Sequence, residues 1–337
     1  MTVKYRSKTK LGKREVLARA LIEGCPLDQL AARFVAAGYN EKAAAYEAGR
    51  AMQDPLFAAG KKLSNQVRKR DWILDIYRKL QESHNGKQAN IPVVDKIDPD
   101  RFFSDYYHRS QPVKLTGLID HWPAMGKWSL DFLAGKMGNT MIELQGQRLS
   151  RQDYEIASNE LKRNVTFADF VAALRRTDTS NDFYMTANND TVNKKALAPL
   201  WDDVGDISLL KPTKALDGFF WMGPKGTITP FHHDLTNNLL LQITGRKRVT
   251  MVAPYESAHM RNHKHCFSTW QSPEQITAQG DQGPNLWQCE IGPGEALFLP
   301  VGWWHYVEAL EMTIGMSFIN FRADNDFYTD YPSEVDF

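Results

Sequence analysis

The first quarter of the chain places apolar residues at helical spacing. Over residues 11–82, Leu, Phe, Val and Tyr recur in this way among many alanines, as in LDQLAARFVAAG and EKAAAYEAGRAM. Pro26 with Asp28 indicates a helix start, and Gly38 with Asn40 indicates a stop followed by a new helix cap. The two helices joined there could form a DNA-reading helix-turn-helix, but an Ala-rich helical hairpin is the favoured interpretation.

The pattern changes at the segment SHNGKQANIP, which has no apolar periodicity and is typical of a linker. Helical segments such as TFADFVAALRR continue, and after Gly218 short β-rich runs are separated by Gly and Pro. Repeated short strands with turn signals predict an all-β barrel or a double-sheet jelly roll. We therefore expect a helical module over residues 1–85, a linker over 86–94 and a mainly β domain with flanking helices over 95–337.

Charge is distributed unevenly along the chain. Residues 1–90 hold 18 Lys and Arg against 9 Asp and Glu, a balance of +9, whereas the remainder holds 23 against 31, a balance of −8. The helical module is therefore basic, which indicates either an acidic or RNA partner or simply two solvated surfaces. No apolar run approaches the roughly 20 residues of a membrane-spanning helix, and no apolar segment follows the basic N-terminus as in a signal peptide. No membrane partner is expected.

Three cysteines, Cys25, Cys266 and Cys289, are odd in number and far apart. They predict buried free thiols in a reducing compartment, and hence a cytoplasmic protein, rather than a disulfide framework. His263 and His265 stand beside Cys266 in the string HKHC, in a polar stretch without a second pair of ligands. A surface loop is therefore the favoured interpretation, and a zinc site is not expected there.

A candidate iron site combines one short motif with one distant histidine. His232 and Asp234 lie two positions apart in TPFHHDLTNN, so that a strand would point both side chains to one face and His233 to the other. His305, in the later apolar segment LPVGWWHYVE, could supply a third ligand if the two segments pair. Two histidines and one carboxylate form the facial triad of non-haem iron(II) oxygenases, which leaves coordination positions open for a cosubstrate and dioxygen. Either half alone could instead be a solvent-facing pair or a core histidine.

Several ordered strings resemble the JmjC-domain hydroxylases, among them the asparaginyl hydroxylase that inhibits hypoxia-inducible factor. They lie within residues 95–322 and read VDKIDPDRFFSDYYHRSQPVKLTGLIDHWPAMGKWS, TPFHHDLTNNLLLQITGRKR, IGPGEALFLPVGWWH and SFINF. The resemblance implies a double-stranded β-helix of the jelly-roll, cupin or JmjC type. It also implies Fe(II) as the metal, 2-oxoglutarate as the cosubstrate and dioxygen as the oxidant. His232, Asp234 and His305 would then be both metal ligands and catalytic residues.

Five further positions match the cosubstrate-binding residues of these hydroxylases. Lys247, in GRKR, matches the lysine that pairs with the distal carboxylate of 2-oxoglutarate, which is physically sensible because an unpaired buried lysine is costly. Thr229 and Tyr184 match hydroxyl donors to the same carboxylate. Asn238 and Asn320 match amides near the iron-proximal end of the cosubstrate. Taken singly, Lys247 could be a surface lysine and either asparagine a satisfied core residue.

The chain also departs from the pattern of that asparaginyl hydroxylase. Arg322 stands where the hydroxylase has a tryptophan, and residues 256–288, which would help to shape the substrate groove, match poorly. The sequence ends soon after Tyr331, which leaves little room for the C-terminal dimerisation helices of that relative. If the N-terminal helices replaced them, a homodimer would result.

The resemblance implies an enzyme, a dioxygenase that hydroxylates an unactivated C–H bond, with a protein or peptide side chain as the leading substrate. A small molecule or a nucleic-acid base is the first alternative, and the basic module would suit an RNA partner. A cupin that binds a ligand without turnover is the second alternative. Demethylation of N-methyl-lysine uses the same chemistry, but the resemblance to the hydroxylases is closer.

Overall fold

The computed structural model describes most of the chain. The described residues are 11–86, 90–212 and 217–332, without the side chains of Asn85 and His263. Parts of the predicted helical module, linker and β domain lie outside the described residues, namely 1–10, 87–89, 213–216 and 333–337. The chain divides into two compact units between Gln81 and Glu82. The domain limits proposed from the sequence stay a prediction.

The first unit is helical, as the periodicity of its apolar residues predicts. Its helices run over Lys13–Ile22 (α1), Leu30–Ala36 (α2), Glu41–Met52 (α3) and Pro55–Asn85 (α4), whose last residues lie past the division. Asn40 caps α3 by accepting a hydrogen bond from the main-chain N–H of Ala43 at 2.8 Å, and Gly38 turns the chain with a φ of 95°. The buried core is built mostly from small residues and two phenylalanines: Val16, Ala20, Cys25, Leu30, Phe34, Ala44, Ala48, Ala51 and Phe57.

Some of the positive charge in α4 has a structural role in this unit. Three side chains of α4 donate hydrogen bonds to main-chain carbonyls near the end of α1, Lys61 to Cys25, Ser64 to Leu21 and Arg68 to Gly24. The carbonyls at the end of a helix lack partners within it and carry its negative partial charge, so cations are favourable there. Lys61 and Arg68, which belong to the two densest positive runs, therefore help to hold α1 against α4.

The second unit is mainly β. Its strands run over Val93–Asp95 (β1), Val113–Thr116 (β2), Met141–Gly146 (β3), Lys162–Thr166 (β4), Phe183–Tyr184 (β5), Gly218–Gly223 (β6), Ile228–His233 (β7), Asn238–Thr244 (β8), Lys247–Val252 (β9), Asn262–Lys264 (β10), Phe267–Ser268 (β11), Trp287–Ile291 (β12), Ala296–Leu299 (β13), Trp304–Ala309 (β14) and Thr313–Phe318 (β15). Its α-helices run over Pro99–Phe102 (α5), Pro123–Lys127 (α6), Leu130–Met137 (α7), Phe167–Arg176 (α8), Asp190–Ala196 (α9) and Pro273–Thr277 (α10). A π-helical turn over Phe103–Tyr107 follows α5.

Most of the described strands belong to two large sheets. The first has the order β1-β2-β13-β8-β15-β6, and the second has the order β10-β11-β7-β14-β9-β12. Neighbouring strands are antiparallel in both sheets, except that β1 and β2 are parallel. A smaller sheet in the described residues has the order β4-β3-β5. Antiparallel strands in two layers are the arrangement of a jelly roll.

The two large sheets enclose a common apolar core. Leu240 of β8 packs with Val249 and Met251 of β9, while its neighbours Leu239 and Leu241 pack in the core that includes the flanking helices. Successive side chains of a strand point to opposite faces, so a strand covered on both sides has consecutive apolar residues, as the three leucines of NLLLQIT show. The prediction of a mainly β, cupin-type jelly roll with flanking helices and an N-terminal helical region is confirmed.

Two further expectations concern the chain as a whole. In the parts of the chain that the structure describes, no helix has the length and apolar character needed to cross a membrane. No disulfide joins the described cysteines, of which Cys25 and Cys266 are buried and Cys289 is half-buried. The cytoplasmic location stays a prediction.

Candidate metal and cosubstrate site

Three possible metal ligands come together where β7 pairs with β14. His232 lies directly opposite His305 in the antiparallel register, and their ring centroids are 4.2 Å apart. Asp234 follows the end of β7, with one carboxylate oxygen 3.5 Å from Nε2 of His232 and the other 3.9 Å from Nε2 of His305. The ligand atoms of the three residues all lie within 4.8 Å of one another. Among the described side chains, this is the one group of three histidines, cysteines or acids with such spacing.

Main-chain carbonyls orient both imidazole rings. Nδ1 of His232 lies 2.9 Å from the carbonyl oxygen of Pro230, and Nδ1 of His305 lies 3.0 Å from that of Trp303. A ring that donates from Nδ1 leaves the lone pair of Nε2 available for a metal, which is the usual arrangement of metal-binding histidines. His233 takes no part in this group, and its ring packs edge-to-face against the indole of Trp304 at 4.7 Å.

The electrostatics of the group suit a divalent cation. Burial works to raise the pKa of Asp234, but the facing His305 and His232 outweigh it and hold the pKa below its usual range. Burial, assisted by repulsion from His232, lowers the pKa of His305 to about 4. At neutral pH the group therefore offers an ionised carboxylate and, at His305, a neutral imidazole, which are the ligand forms that a metal requires.

A cavity opens beside this group and contains a buried cation. This inner cavity is lined by Tyr184, Trp221, Thr229, His232, Asp234, Asn238, Leu240, Lys247, Leu299, His305 and Val307. Lys247 is 1% exposed, and no acidic side chain of the described residues lies within ion-pair distance of it. Burial lowers the pKa of Lys247 to about 7. A buried lysine without an anion is unfavourable, so the inner cavity is suited to a ligand that brings a carboxylate.

Hydroxyl and amide groups surround the same cavity. Nζ of Lys247 donates a hydrogen bond to Oη of Tyr184 at 3.2 Å, and burial raises the pKa of Tyr184, so that its hydroxyl stays protonated. Thr229 of β7 lies opposite Val307 of β14 and is nearly buried. Nδ2 of Asn238 donates to a carboxylate oxygen of Asp234 at 3.0 Å, while its Oδ1 is buried without a described partner. The structure thus brings four of the five predicted cosubstrate residues to one cavity.

Asn320 is the predicted residue that the structure does not bring there. It does not line the inner cavity, and its Nδ2 lies 3.4 Å from the main-chain carbonyl of Lys211. Arg322, which stands where the asparaginyl hydroxylase has a tryptophan, is exposed and donates from Nε to the carbonyl of Leu210 at 3.2 Å. The cosubstrate role of Asn320 stays a prediction.

A second, wider cavity adjoins the metal group and includes residues that sequence reasoning missed. This outer cavity is lined, among others, by Glu155, Asn188, Phe219, Trp221, His232, Asp234, Phe267 and Ser317. Nε1 of Trp221 donates to Oγ of Ser317 at 2.9 Å. Strand alternation in GFFWMG could have placed Phe219 and Trp221 on one face. Glu155 lies in a polar segment, which gives no sequence signal of burial.

The expected surface loop around HKHC is correct in part: His265 and Cys266 form a turn, but the residues on either side of them are strands, and Cys266 is buried. Asn262–Lys264 and Phe267–Ser268 form β10 and β11, and Phe267 pairs with His232 of β7. Edge pairing to β7 therefore draws this polar stretch into the second sheet, and Lys264, His265 and Cys266 line the outer cavity. The side chain of His263 lies outside the described residues.

Comparison with known proteins agrees with this architecture. Residues 99–327, about two thirds of the chain, match the cupin-like domain family. The chain belongs to this family. This cupin-like protein is 29% identical over 243 residues to lysine-specific demethylase 8 of Xenopus tropicalis, which covers 68% of the chain and 53% of the relative. It is 29% identical over 242 residues to lysine-specific demethylase JMJ30 of Arabidopsis thaliana, covering 64% of the chain and 51% of the relative.

A third relative carries a different name. The cupin-like protein is 23% identical over 263 residues to tRNA wybutosine-synthesizing protein 5 of Danio rerio, which covers 74% of the chain and 78% of the relative. By contrast, the chain spans about half the length of the two demethylase-named relatives. The prediction of a JmjC-type member of the cupin-like oxygenases is confirmed, and the family supports an oxygenase type of function. The substrate does not follow, because the relatives differ in what they are named for.

Proposed function

We propose that this cupin-like protein is an Fe(II)- and 2-oxoglutarate-dependent dioxygenase that hydroxylates an unactivated C–H bond. One observation carries the proposal: a compact His-Asp-His group shares a cavity with a buried lysine that has no acidic partner. The first feature suits a divalent metal with coordination positions left open, and the second suits a ligand with a carboxylate. 2-Oxoglutarate is a ligand that meets both, because its keto acid can chelate a metal while its distal carboxylate faces a cation.

His232, Asp234 and His305 are proposed as the metal ligands and catalytic residues. Bound Fe(II), together with 2-oxoglutarate and dioxygen, supplies the oxidising power for the hydroxylation, and 2-oxoglutarate leaves as succinate and carbon dioxide. The protein contributes two oriented imidazoles and one carboxylate. Asn238 supports that carboxylate through its hydrogen bond to Asp234.

Lys247, Tyr184 and Thr229 are proposed to hold the distal carboxylate of 2-oxoglutarate. Lys247 supplies the cation, and the two hydroxyls supply neutral donors beside it. The apolar side chains of Leu240, Leu299 and Val307 line the same cavity and suit the methylene groups of the cosubstrate. Asn320 is still proposed to lie near the keto-acid end, but its contact with the main chain of Lys211 favours an indirect role in which it does not contact the cosubstrate.

The proposed substrate is a protein or peptide side chain that enters the outer cavity. Its wall combines aromatic rings, including Phe219 and Phe267, with the polar groups of Glu155 and Asn188. Such a mixture suits an extended chain that inserts one side chain towards His232 and Asp234. Hydroxylation of a carbon and removal of an N-methyl group are two outcomes of the same chemistry, and formaldehyde release identifies the second.

A nucleic-acid base is the second candidate substrate. The +9 balance of residues 1–90 and the similarity to a tRNA wybutosine-synthesizing protein favour it. An RNA substrate should bind with an affinity that falls steeply as salt rises, because neutralised phosphates release counterions. We rank it second because the outer cavity itself holds one lysine, Lys264, beside the acids Glu155 and Asp234.

Turnover in a cell extract tests the proposal directly. The purified protein is incubated with Fe(II), ascorbate and 2-oxoglutarate, and mass spectrometry follows succinate and products that gain one oxygen atom. We expect succinate formation that depends on both iron and 2-oxoglutarate and that is lost in His232→Ala. A protein that binds neither a divalent metal nor 2-oxoglutarate would instead be a cupin without this turnover.

A further inference from the structure

Arg148 is a fully buried cation behind the inner cavity. It lies two residues after the end of β3 and is 0% exposed. Its Nη2 donates to Oε1 of Glu155 at 2.8 Å and to the main-chain carbonyl of Ile228 at 2.6 Å. Its Nε and Nη1 are buried without a hydrogen-bond partner among the described residues. Burying a guanidinium with two unsatisfied groups costs stability, so a general role in stability does not account well for this arrangement.

The guanidinium group contacts the rings of two tyrosines. Its central carbon is 4.5 Å from the ring centroid of Tyr154 and 5.1 Å from that of Tyr184. A planar guanidinium can stack on an aromatic face, whereas the tetrahedral ammonium group of a lysine cannot. The ring of Tyr184 also has no space towards Gly223, where an added Cβ would lie 2.6 Å from its Cδ2. Arg148 and Gly223 therefore confine the orientation of Tyr184.

Tyr184 connects this arrangement to the inner cavity. Tyr184 lines the cavity, and its hydroxyl accepts a hydrogen bond from Lys247, which lines the same cavity. Glu155, the anionic partner of Arg148, is itself fixed by Asn188, whose Nδ2 donates to the second carboxylate oxygen at 3.3 Å. The position of the Tyr184 ring is thus defined by a buried ion pair that does not itself line the inner cavity.

We propose that Arg148 is a positioning residue for the cosubstrate, which holds the ring of Tyr184 so that its hydroxyl is placed for the distal carboxylate. Glu155 anchors Arg148 in this role. A hydroxyl that is already oriented costs little further ordering when the ligand binds, which favours affinity. This inference rests on the proposed function, because it assumes that the inner cavity takes 2-oxoglutarate.

Calorimetric titration of 2-oxoglutarate into the full-length, Mn(II)-loaded protein tests the proposal. Arg148→Lys keeps the charge but loses the planar guanidinium that lies over the tyrosine rings, together with its forked donors. We expect the Kd for 2-oxoglutarate to rise about tenfold, the worth of one hydrogen bond to a charged group, with the Kd for Mn(II) unchanged. The double variant Arg148→Met with Glu155→Gln removes both charges, leaves no buried unpaired charge and should show the same rise. If Arg148→Lys does not fold, this double variant tests whether loss of Arg148 raises the Kd for 2-oxoglutarate.

A double-mutant cycle separates positioning from a merely structural role. In a Tyr184→Phe background the hydroxyl is already absent, so Arg148→Lys should change the Kd for 2-oxoglutarate by less than about twofold. Asp203→Asn is the matched control, because Asp203 is also a buried acid, bound to Lys127 at 2.8 Å and to Nε1 of Trp128 at 3.2 Å. This control should lower the thermal midpoint and leave the affinity for 2-oxoglutarate unchanged.

The outcomes distinguish this inference from the proposed function. Unchanged 2-oxoglutarate affinity in both Arg148 variants overturns the positioning role alone, as does an equal effect of Arg148→Lys with and without the Tyr184 hydroxyl. A wild-type protein that binds Mn(II) but no 2-oxoglutarate overturns both. A wild-type protein that binds both ligands, with the rise confined to backgrounds that keep Tyr184, supports both.

Discussion

Lys247 and Arg248 are consecutive residues of β9 with opposite surroundings. Lys247 is buried in the inner cavity and contacts Tyr184, whereas Arg248 is only half-buried and donates to the carboxylate of Glu290 at 3.0 Å. Successive side chains of a strand point to opposite faces, so these two neighbouring cations lie on opposite faces of the same sheet and differ in their surroundings. The two residues therefore form a matched pair for testing which cation serves the cosubstrate.

Replacing Lys247 with Met should weaken 2-oxoglutarate binding. Truncating one partner of a desolvated charge pair costs about 2–5 kcal/mol, so we expect the 2-oxoglutarate concentration for half-maximal turnover to rise roughly 30-fold or more. Metal affinity should change little, because Lys247 does not belong to the metal group. Arg248→Met is the control and should leave the cosubstrate dependence unchanged. If the two variants behaved alike, another cation would have to hold the carboxylate.

Asp234 is expected to be indispensable for metal binding. Asp234→Ala removes the one carboxylate of the triad, and the two imidazoles that remain hold a divalent ion weakly. We expect most Mn(II) binding and all oxygen consumption to be lost, as measured by metal content after dialysis and by an oxygen electrode. Full metal occupancy with turnover in this variant would refute the assignment.

Asn238 should affect the metal affinity of the same site without being a metal ligand itself. Asn238→Ala removes the hydrogen bond to the carboxylate of Asp234, and loss of such a supporting contact typically costs about 10–100-fold in metal affinity. Asn193→Ala provides a control, since this buried asparagine bonds the main chain of Glu143 instead. A competition titration with a chelator gives the metal affinity, and equal values for the two variants would contradict the supporting role.

The fold and the metal group could be predicted because their signals are local or repeat along the chain. Short apolar runs separated by Gly and Pro predicted the sheets, and the two-residue spacing of His232 and Asp234 predicted a shared direction. His305 needed the long-range pairing of β14 with β7, which the sequence alone does not define. The resemblance to the JmjC hydroxylases supplied that connection.

The remaining features of the site could not be predicted because they depend on contacts between distant segments. Arg148 and Glu155 lie in RLSRQDYE, a string typical of an exposed turn, yet both are buried against residues from other elements. The HKHC stretch is polar, and its strands form through pairing with β7 at the edge of a sheet. The motif SFINF identified Asn320 as a cosubstrate residue, but a motif does not show that its side chain contacts the carbonyl of the distant Lys211.

Lys247 should make the stability of the ligand-free protein depend on pH. Burial lowers its pKa from 10.5 to about 7, so between these values the unfolded chain binds a proton that the folded chain does not. The free energy of unfolding then rises with pH across this window, by up to about 1.4 kcal/mol per pH unit. This contribution is complete above pH 10.5, is lost progressively as pH falls from 10.5 to 7, and is absent below pH 7. The difference between wild type and Lys247→Met, measured by urea unfolding, should follow this course. A constant difference would show that Lys247 stays charged.

Cosubstrate binding should take up a proton for the same reason. The distal carboxylate favours the charged form of Lys247 and raises its pKa, so above pH 7 each binding event protonates the lysine. The Kd for 2-oxoglutarate should therefore increase as pH rises from 7 to 9. Calorimetry in two buffers of different ionisation enthalpy measures the uptake, which should approach one proton in wild type. Lys247→Met should show none.

Removal of residues 1–81 should leave the metal and cosubstrate site intact. Every residue proposed for that site lies between Arg148 and Asn320, and the division of the chain falls after Gln81. We expect the shortened protein to bind Mn(II) and 2-oxoglutarate with affinities within about twofold of the full chain, because changes at sites that share no contacts alter each other's free energies by only a few tenths of a kcal/mol. The cut lies before Glu82, at the division between the units, so that the shortened protein keeps Ile91, which belongs to the apolar core of the second unit.

If the basic helical unit recruits an acidic or RNA partner, the shortened protein should lose substrate affinity, and that affinity should fall steeply with salt in the full chain. We favour a structural role, because Lys61 and Arg68 already hold carbonyls of their own unit. Light scattering should then show a changed oligomeric state, with little effect of salt on substrate binding.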